Sequence, residues 1–196
     1  EYQDESCFAL VPGGDEESAH WTRDARGNWT ELDGLTISDF QLEAADLPFN
    51  ESFRMPSLFA ALQALRILGK DCTNLSEYPG LEHRMQTFVD IHDRKIINNG
   101  VATHPEPTAA ALASIKGKKV LLAGGKDKLL DLSEIISVAR KKTRLHLHGE
   151  GGKRLLRLCA AAKIECSLHE NFEIAADAAL SGLQSDETLL FSPTFS

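Results

Sequence analysis

The feature that most restricts what this chain can fold into is the alternation of short apolar runs with helical stretches from Lys95 to Phe191. Lys95 to Asn98 reads as a strand that runs into a polar turn and then a helix from Pro105 to Ile115. Its prolines sit in the first turn, where a missing N–H costs nothing. Val120 to Ala123 is a second strand, broken at Gly124-Gly125-Lys126-Asp127-Lys128. Asp131 with Glu134 three residues later is a capping-box spacing and opens the next helix. Then follow strand Arg144 to His148, a Gly149-Glu150-Gly151-Gly152 turn and helix Lys153 to Ala162. Strand Ile164 to Leu168, helix Phe172 to Leu183 and strand Thr188 to Phe191 complete the series. Such a pattern predicts an α/β fold with a mostly parallel sheet covered by helices on both faces. Arg84 to Ile91 pairs with Lys95 to Asn98 as an expected hairpin around His92-Asp93.

The first fifty residues read differently. Cys7 to Val11 is a short apolar run ended by Pro12-Gly13-Gly14. Segments holding Trp21, Trp29 and Leu35 to Phe40 are divided by Arg26-Gly27-Asn28 and Asp33-Gly34, both turn signals. A β-meander is expected, with the tryptophans packed beneath it. Leu58, Ala61, Leu62, Leu65 and Leu68 form a helical stripe in Ser57 to Leu68, started by Pro56 and stopped by Gly69. The polar stretch ending in Pro79-Gly80 is the expected boundary, giving two domains, 1–79 and 80–196.

Charge narrows the choice of partners. Residues 1–50 hold twelve acids against two bases, a balance of −10 that leaves +2 for the rest of a chain whose net charge is −8. That asymmetry marks an acidic face or a composition boundary. It supplies no coherent basic footprint for nucleic acid. Cys7, Cys72, Cys159 and Cys166 form no C-x-x-C pair, so no zinc site is expected and a reducing cytoplasm fits. There is no apolar run near twenty residues and no signal-peptide pattern, so no membrane partner is expected. Beginning at Glu1 and stopping after Ser192-Pro193-Thr194-Phe195-Ser196, the chain reads as a piece of a longer one.

In α/β proteins ligands gather at the carboxyl ends of strands, and the candidate chemistry lies there. No G-x-x-x-x-G-K-[ST] occurs, so the chain has no P-loop of its own. In Gly149-Glu150-Gly151-Gly152 the third glycine of a dinucleotide fingerprint is replaced by Arg154, and a plain tight turn is the better reading. His146 and His148 share a strand face, but no carboxylate or third histidine stands at supporting spacing, so no metal is expected. Paired Gly124-Gly125 permits close backbone approach to a ligand. Lys126 and Lys128 could hold a carboxylate or phosphate, or stand simply solvated. Thr103 could cap the Pro105 helix or offer its hydroxyl to a ligand.

Four motifs in order resemble those of the Mur ligases, most closely the MurD type. Gly80-Leu81-Glu82-His83-Arg84 resembles G-L-x-H-R, and Ile97-Asn98-Asn99-Gly100-Val101-Ala102-Thr103 stands where the family has I-N-D-S-K-A-T. Leu122-Ala123-Gly124-Gly125-Lys126-Asp127-Lys128 resembles L-x-G-G-x-D-K, and Leu190-Phe191-Ser192-Pro193 resembles the start of L-S-P-A-x-A-S. The resemblance implies a cytoplasmic ligase of peptidoglycan biosynthesis that uses ATP and magnesium to add D-glutamate to a UDP-muramoyl precursor. It makes residues 80–196 a Rossmann-like C-terminal domain. Residues 1–79 become a β-rich tail of the central ATP-binding domain with one helix. The P-loop and metal ligands would lie upstream, so the chain alone would bind no cofactor and be inactive. Carried over by position, His83, Arg84 and Asn99 are ATP-binding, and Thr103, Lys128 and Ser192 are substrate-binding. No residue of the chain is assigned as catalytic.

The departures matter as much. Where the family has D-S-K the chain reads Asn99-Gly100-Val101, and Ser52-Phe53-Arg54 replaces G-x-H-N. Asn99 is a weaker ribose partner than a carboxylate, and Val101 can donate nothing. Two other readings therefore stand beside the first. One is a non-catalytic ligase-like binding or regulatory domain. The other is a related ligase with another acceptor, folylpolyglutamate synthetase-like or another Mur ligase.

Overall fold

A computed structural model describes residues 6–13, 16–23, 27–49, 51–71, 75–90, 94–140 and 142–195. Gly14, Arg26, Cys72, His92, Asp93 and Ser196, each invoked above, lie outside them, as do the side-chain surroundings of Trp21. The chain divides into two compact units, Glu1–Pro79 and Gly80–Ser196.

In the first unit, β1 (Phe8–Val11) and β2 (Asn28–Glu31) pair in parallel, joined by helix α1 (Glu16–Arg23). This overturns the expected meander, since parallel neighbours need a crossover and α1 supplies it. The helix is mostly polar, with Ala19 and Trp21 its only apolar residues, so apolar periodicity could not reveal it. Its legible signal was charge, with Glu16 and Glu17 in the first turn and His20 and Arg23 in the last, each complementing the helix dipole. Trp29 is 45% exposed on β2, not packed beneath a sheet. Leu35 to Phe40 is no strand either, because Ile37–Phe40 is a 3₁₀ turn. Its start is fixed by the Asp39 carboxylate, which accepts from both the amide and the hydroxyl of Thr36. Helix α2 (Met55–Ile67) buries Leu58 and Leu62 of the expected stripe, whereas Leu68 lies beyond its end and is exposed. Phe59 stacks on Phe40.

The second unit carries a six-stranded sheet in the order β3-β4-β8-β5-β6-β7. The strands are β3 (Gln86–Val89), β4 (Lys95–Asn98), β5 (Lys118–Gly124), β6 (Thr143–His148), β7 (Cys166–His169) and β8 (Glu187–Thr194). Only β3 is antiparallel, forming the expected hairpin with β4. Helices α3 (Pro105–Ser114), α4 (Ser133–Ala139) and α5 (Gly149–Ala162) connect strands that progress in one direction, and α6 (Phe172–Ser181) returns the chain to β8. Because parallel crossovers are right-handed, the outward connections take one face and the return takes the other. The cores obey this. Leu112, Ile135, Leu155 and Cys159 pack with Leu121, Leu145, Leu147 and Leu190 on one face. Ala175 and Ala179 of α6, with Leu183 just after it, pack with Val120, Leu122 and Leu189 on the other.

Two local expectations change. Gly149 to Gly152 is not a turn before the helix but the first turn of α5 itself. Helix α4 starts at Ser133, not Asp131, and the Asp131 carboxylate accepts from the Ser133 amide and hydroxyl in place of a capping box.

Candidate functional site

All the parallel strands of the second unit end on one edge of the sheet, and the loops that follow them carry most of the residues singled out above. The Asn98–His104 loop and the Gly124–Lys128 loop are not on neighbouring strands. Strand β8 lies between β4 and β5, so the two loops flank its end at roughly 10 Å, two strand spacings. No local sequence pattern could show this, because β8 follows both strands in the chain and is inserted between them.

Beneath the edge runs a buried chain of hydroxyls. Ser192 is fully buried in β8, its Oγ 2.7 Å from Thr108 Oγ1 and accepting from the Asn99 side-chain Nδ2 at 3.4 Å. Thr194 Oγ1 donates to Thr108 Oγ1 at 3.0 Å. The Thr194 amide donates to the Ala102 carbonyl, and the Asn99 amide donates to the Phe191 carbonyl. The β4–α3 loop is thereby sewn to the end of β8. Ser192 and Asn99 lie inside this wall, not on its open side, and Asn99 is only 5% exposed, with its Oδ1 accepting from the Met85 amide. Thr108 and Thr194 were not anticipated, since single hydroxyl residues inside apolar runs give no sequence signal.

The open side is lined by other groups. His83 and Arg84 are exposed. The His83 ring nitrogen Nδ1 lies 3.0 Å from Asn98 Nδ2, and the Val101 amide donates to the His83 carbonyl. Thr103 is half-buried, its hydroxyl 3.2 Å from His104 Nδ1, and His104, not Thr103, is the N-cap residue of α3. Val101 is 44% exposed and presents only methyl groups.

The glycine loop is built by packing. A Cβ on Gly124 would stand 2.4 Å from the His148 carbonyl oxygen, and one on Gly151 would stand 2.4 Å from the Phe195 ring. Gly125, at φ +136°, gives its carbonyl to the Gly151 amide. The close approach these glycines permit is therefore backbone to backbone, and an α5 amide is already engaged there. Asp127 then pins the loop. Its Oδ1 accepts from the Leu129 amide and from Arg154, each at 2.9 Å, while Arg154 also donates to the Leu130 carbonyl. The Leu129 amide and the Arg154 guanidinium hold the Asp127 carboxyl below the usual carboxylate range. Lys126 and Lys128, on either side, are exposed.

On the α6 face His146 and His148 do share a side, and a third histidine joins them from the next strand. His169 Nε2 is 3.1 Å from His146 Nδ1, and the rings are stacked. Spacing along one strand could not reveal a cross-strand neighbour. Among the described residues no group of three or more His, Cys, Asp or Glu could hold a metal ion. No described helix is long and apolar enough to cross a membrane.

The donors on the open edge (His83, Arg84 and Lys128) fit anionic oxygens such as those of a phosphate or carboxylate. A divalent cation finds no carboxylate set among the described residues.

No family model matches the chain. It is 32% identical over 173 residues to a UDP-N-acetylmuramoylalanine–D-glutamate ligase of Chlorobium phaeobacteroides, covering 83% of this chain and 36% of that protein. It is 36% identical over 120 residues to the ligase of the same name from Methylococcus capsulatus, covering 61% and 26%. The chain thus spans about a third of the length of the curated relatives it matches. Among solved structures, Escherichia coli FolC in complex with ADP matches 98% of this chain and 52% of its own, with TM-score 0.71 and 16% identity. The MurF ligase of Thermotoga maritima in complex with ADP matches 96% and 50%, with TM-score 0.68 and 14% identity. At those identities the likeness is one of fold.

Proposed function

Since the chain belongs with the Mur ligases of the MurD type, we propose that it forms the C-terminal part of such an enzyme, the part that positions the incoming amino acid. In this reading the whole protein is an ATP-dependent, cytoplasmic ligase. It joins D-glutamate to a UDP-muramoyl-alanine precursor, and the nucleotide and magnesium are held chiefly by residues outside this chain. His83 and Arg84 approach the phosphates, where positive charge and N–H donors offset the charge that develops during phosphoryl transfer. Thr103 and Lys128 meet substrate carboxylates. Ser192 and Asn99, being buried, serve by holding the loops that carry Thr103 and His83.

The observation that supports this reading is that Arg84, His83 and Lys128 are exposed on segments along one sheet edge whose sequences follow the family in order. In the full-length protein, Lys128→Ala should raise the KM for D-glutamate at least tenfold, the loss of about 1.4 kcal/mol or more expected of a charge-assisted contact. Phosphate release dependent on ATP, precursor and D-glutamate is the assay, and an unchanged KM removes Lys128 from the substrate site.

A second reading, a non-catalytic ligase-like binding domain, is favoured by one feature. Exposed Val101 and buried Asn99 offer a ligand neither the positive charge nor the carboxylate that the family places in this turn. It predicts precursor binding without ligation even with D-glutamate in excess. An amino-acid screen of the same protein distinguishes a ligase with another acceptor.

A further inference from the structure

The turn after β4 differs from the family pattern at Asn99-Gly100-Val101, and its hydrogen bonds give Asn98 a task. The Asn98 side chain is oriented by the backbone, since its Oδ1 accepts from the Gly100 amide at 2.9 Å. An amide held by its oxygen must present its nitrogen on the other side, so no flip of the group is open to it. That nitrogen faces His83 Nδ1 at 3.0 Å. An Nδ2–H group only donates, so Nδ1 must accept, and the His83 proton is left on Nε2.

His83, though exposed, is held by its backbone as well as its ring. Its φ is +61°, a left-handed conformation that histidine tolerates better than most residues. Its amide donates to Gln86 Oε1 at 3.1 Å and its carbonyl accepts from Val101 at 3.3 Å. Gly100 leaves the room: a Cβ there would stand 3.1 Å from Asn98 Oδ1 and 3.7 Å from the His83 Cβ. A non-glycine residue held at positive φ by three separate contacts is a mark of a pre-organised functional position.

We propose that Asn98 is the positioning residue of this edge, fixing His83 as a neutral Nε2–H donor turned toward an anionic oxygen of the ligand. The direction of that donor rests on the reading of His83 as a phosphate contact; the proton's place on the ring does not.

The test is a long-range ¹H–¹⁵N spectrum of the uniformly ¹⁵N-labelled full chain near pH 8, which separates the two neutral tautomers by their ring-nitrogen shifts. Wild type should show His83 in the Nε2–H form alone. In Asn98→Asp the carboxylate can only accept, so the proton should move to Nδ1. Asn98→Ala, which removes the group without replacing it, should give exchange-averaged ring nitrogens. Spectral dispersion of the remaining amides checks that each variant is folded. An Nδ1–H form in wild type, or an unchanged Nε2–H form in Asn98→Asp and Asn98→Ala alike, overturns the proposal. None of these readouts involves nucleotide. If the tautomer behaves as stated but adding ATP and magnesium to the full-length protein leaves the His83 signals unmoved, the positioning stands and the phosphate role of His83 fails separately.

Discussion

Arg154 occupies the place where a third glycine would complete a dinucleotide fingerprint, and the structure shows what it does there instead. Reaching from the first turns of α5 to Asp127 and the Leu130 carbonyl, it closes the glycine loop onto the helix that a cofactor would otherwise approach. Arg154→Ala should therefore free the loop without unfolding the sheet. Amides from Gly125 to Leu130 should exchange faster by roughly an order of magnitude, while those of β5 and β6 stay protected. Acid acts in the same direction only late. A carboxylate held below its usual value keeps the bond above the ordinary range and loses it as pH falls through the lowered one. Exchange at Leu129 that rises already near pH 5 would show that Asp127 is not the pin.

Element by element, sequence and structure agree where one strand or helix states its own business. The hairpin β3–β4, helix α3 and strands β5 and β6 follow from apolar runs, proline placement and glycine stops, because period and punctuation are local. What escaped is relational. Ser192 reads as the start of an open loop, yet it is strand residue and wall, because β8 runs on to Thr194 between two strands that precede it in the chain. Asn99 reads as a ligand contact, yet the amide that faces outward is that of Asn98, because alternation along a strand end depends on a register that only the partner strand fixes. The hydroxyl chain gives a measurable consequence. Thr108→Val removes the oxygen that both Ser192 and Thr194 meet, leaving Ser192 Oγ only the long Asn99 side-chain contact and Thr194 Oγ1 only the Ser192 carbonyl, and costing about 1–1.5 kcal/mol. Thr108→Ser keeps the oxygen and should lose well under half of that. Gly151→Ala drives a methyl into the Phe195 ring and should cost about 1–3 kcal/mol by overpacking. Urea unfolding monitored by far-ultraviolet circular dichroism compares all three with wild type, and equal stabilities for Thr108→Val and Thr108→Ser would dissolve the network argument.

Within the second unit, the described helices cover the sheet's two faces unequally, three on one and α6 on the other, and the α6 face carries a cluster of histidines with Arg144 and Glu187. Arg144 donates to the Gly182 carbonyl and Glu187, locking the end of α6 to β8, and its other nitrogen lies 3.4 Å from His146 Nε2. A guanidinium only donates, so His146 Nε2 accepts and its proton sits on Nδ1, directed at His169 Nε2. Adding a proton to His146 would set its Nε2–H against the Arg144 guanidinium. Burial accordingly pushes the His146 pKa down to about 4, with the Arg144 charge and then His169 adding to the effect and Glu187 opposing it. His148, beside Glu173 and His169, is also lowered by burial. An unfolded histidine titrates near 6.5, so between that value and about 4 the unfolded chain binds protons that the folded one refuses. Stability contributed by this cluster is complete above 6.5 and falls as the solution is acidified toward 4, at most by about 1.4 kcal/mol per pH unit for each group. His146→Gln should flatten that slope while leaving stability at pH 7.5 closer to wild type than at pH 5. Urea midpoints at half-unit steps from pH 7.5 to 4.5 measure it. Parallel curves for wild type and His146→Gln would mean that the acid sensitivity of this face arises elsewhere, and that the stacked pair is packing rather than a charge-sensitive joint between β6 and β7.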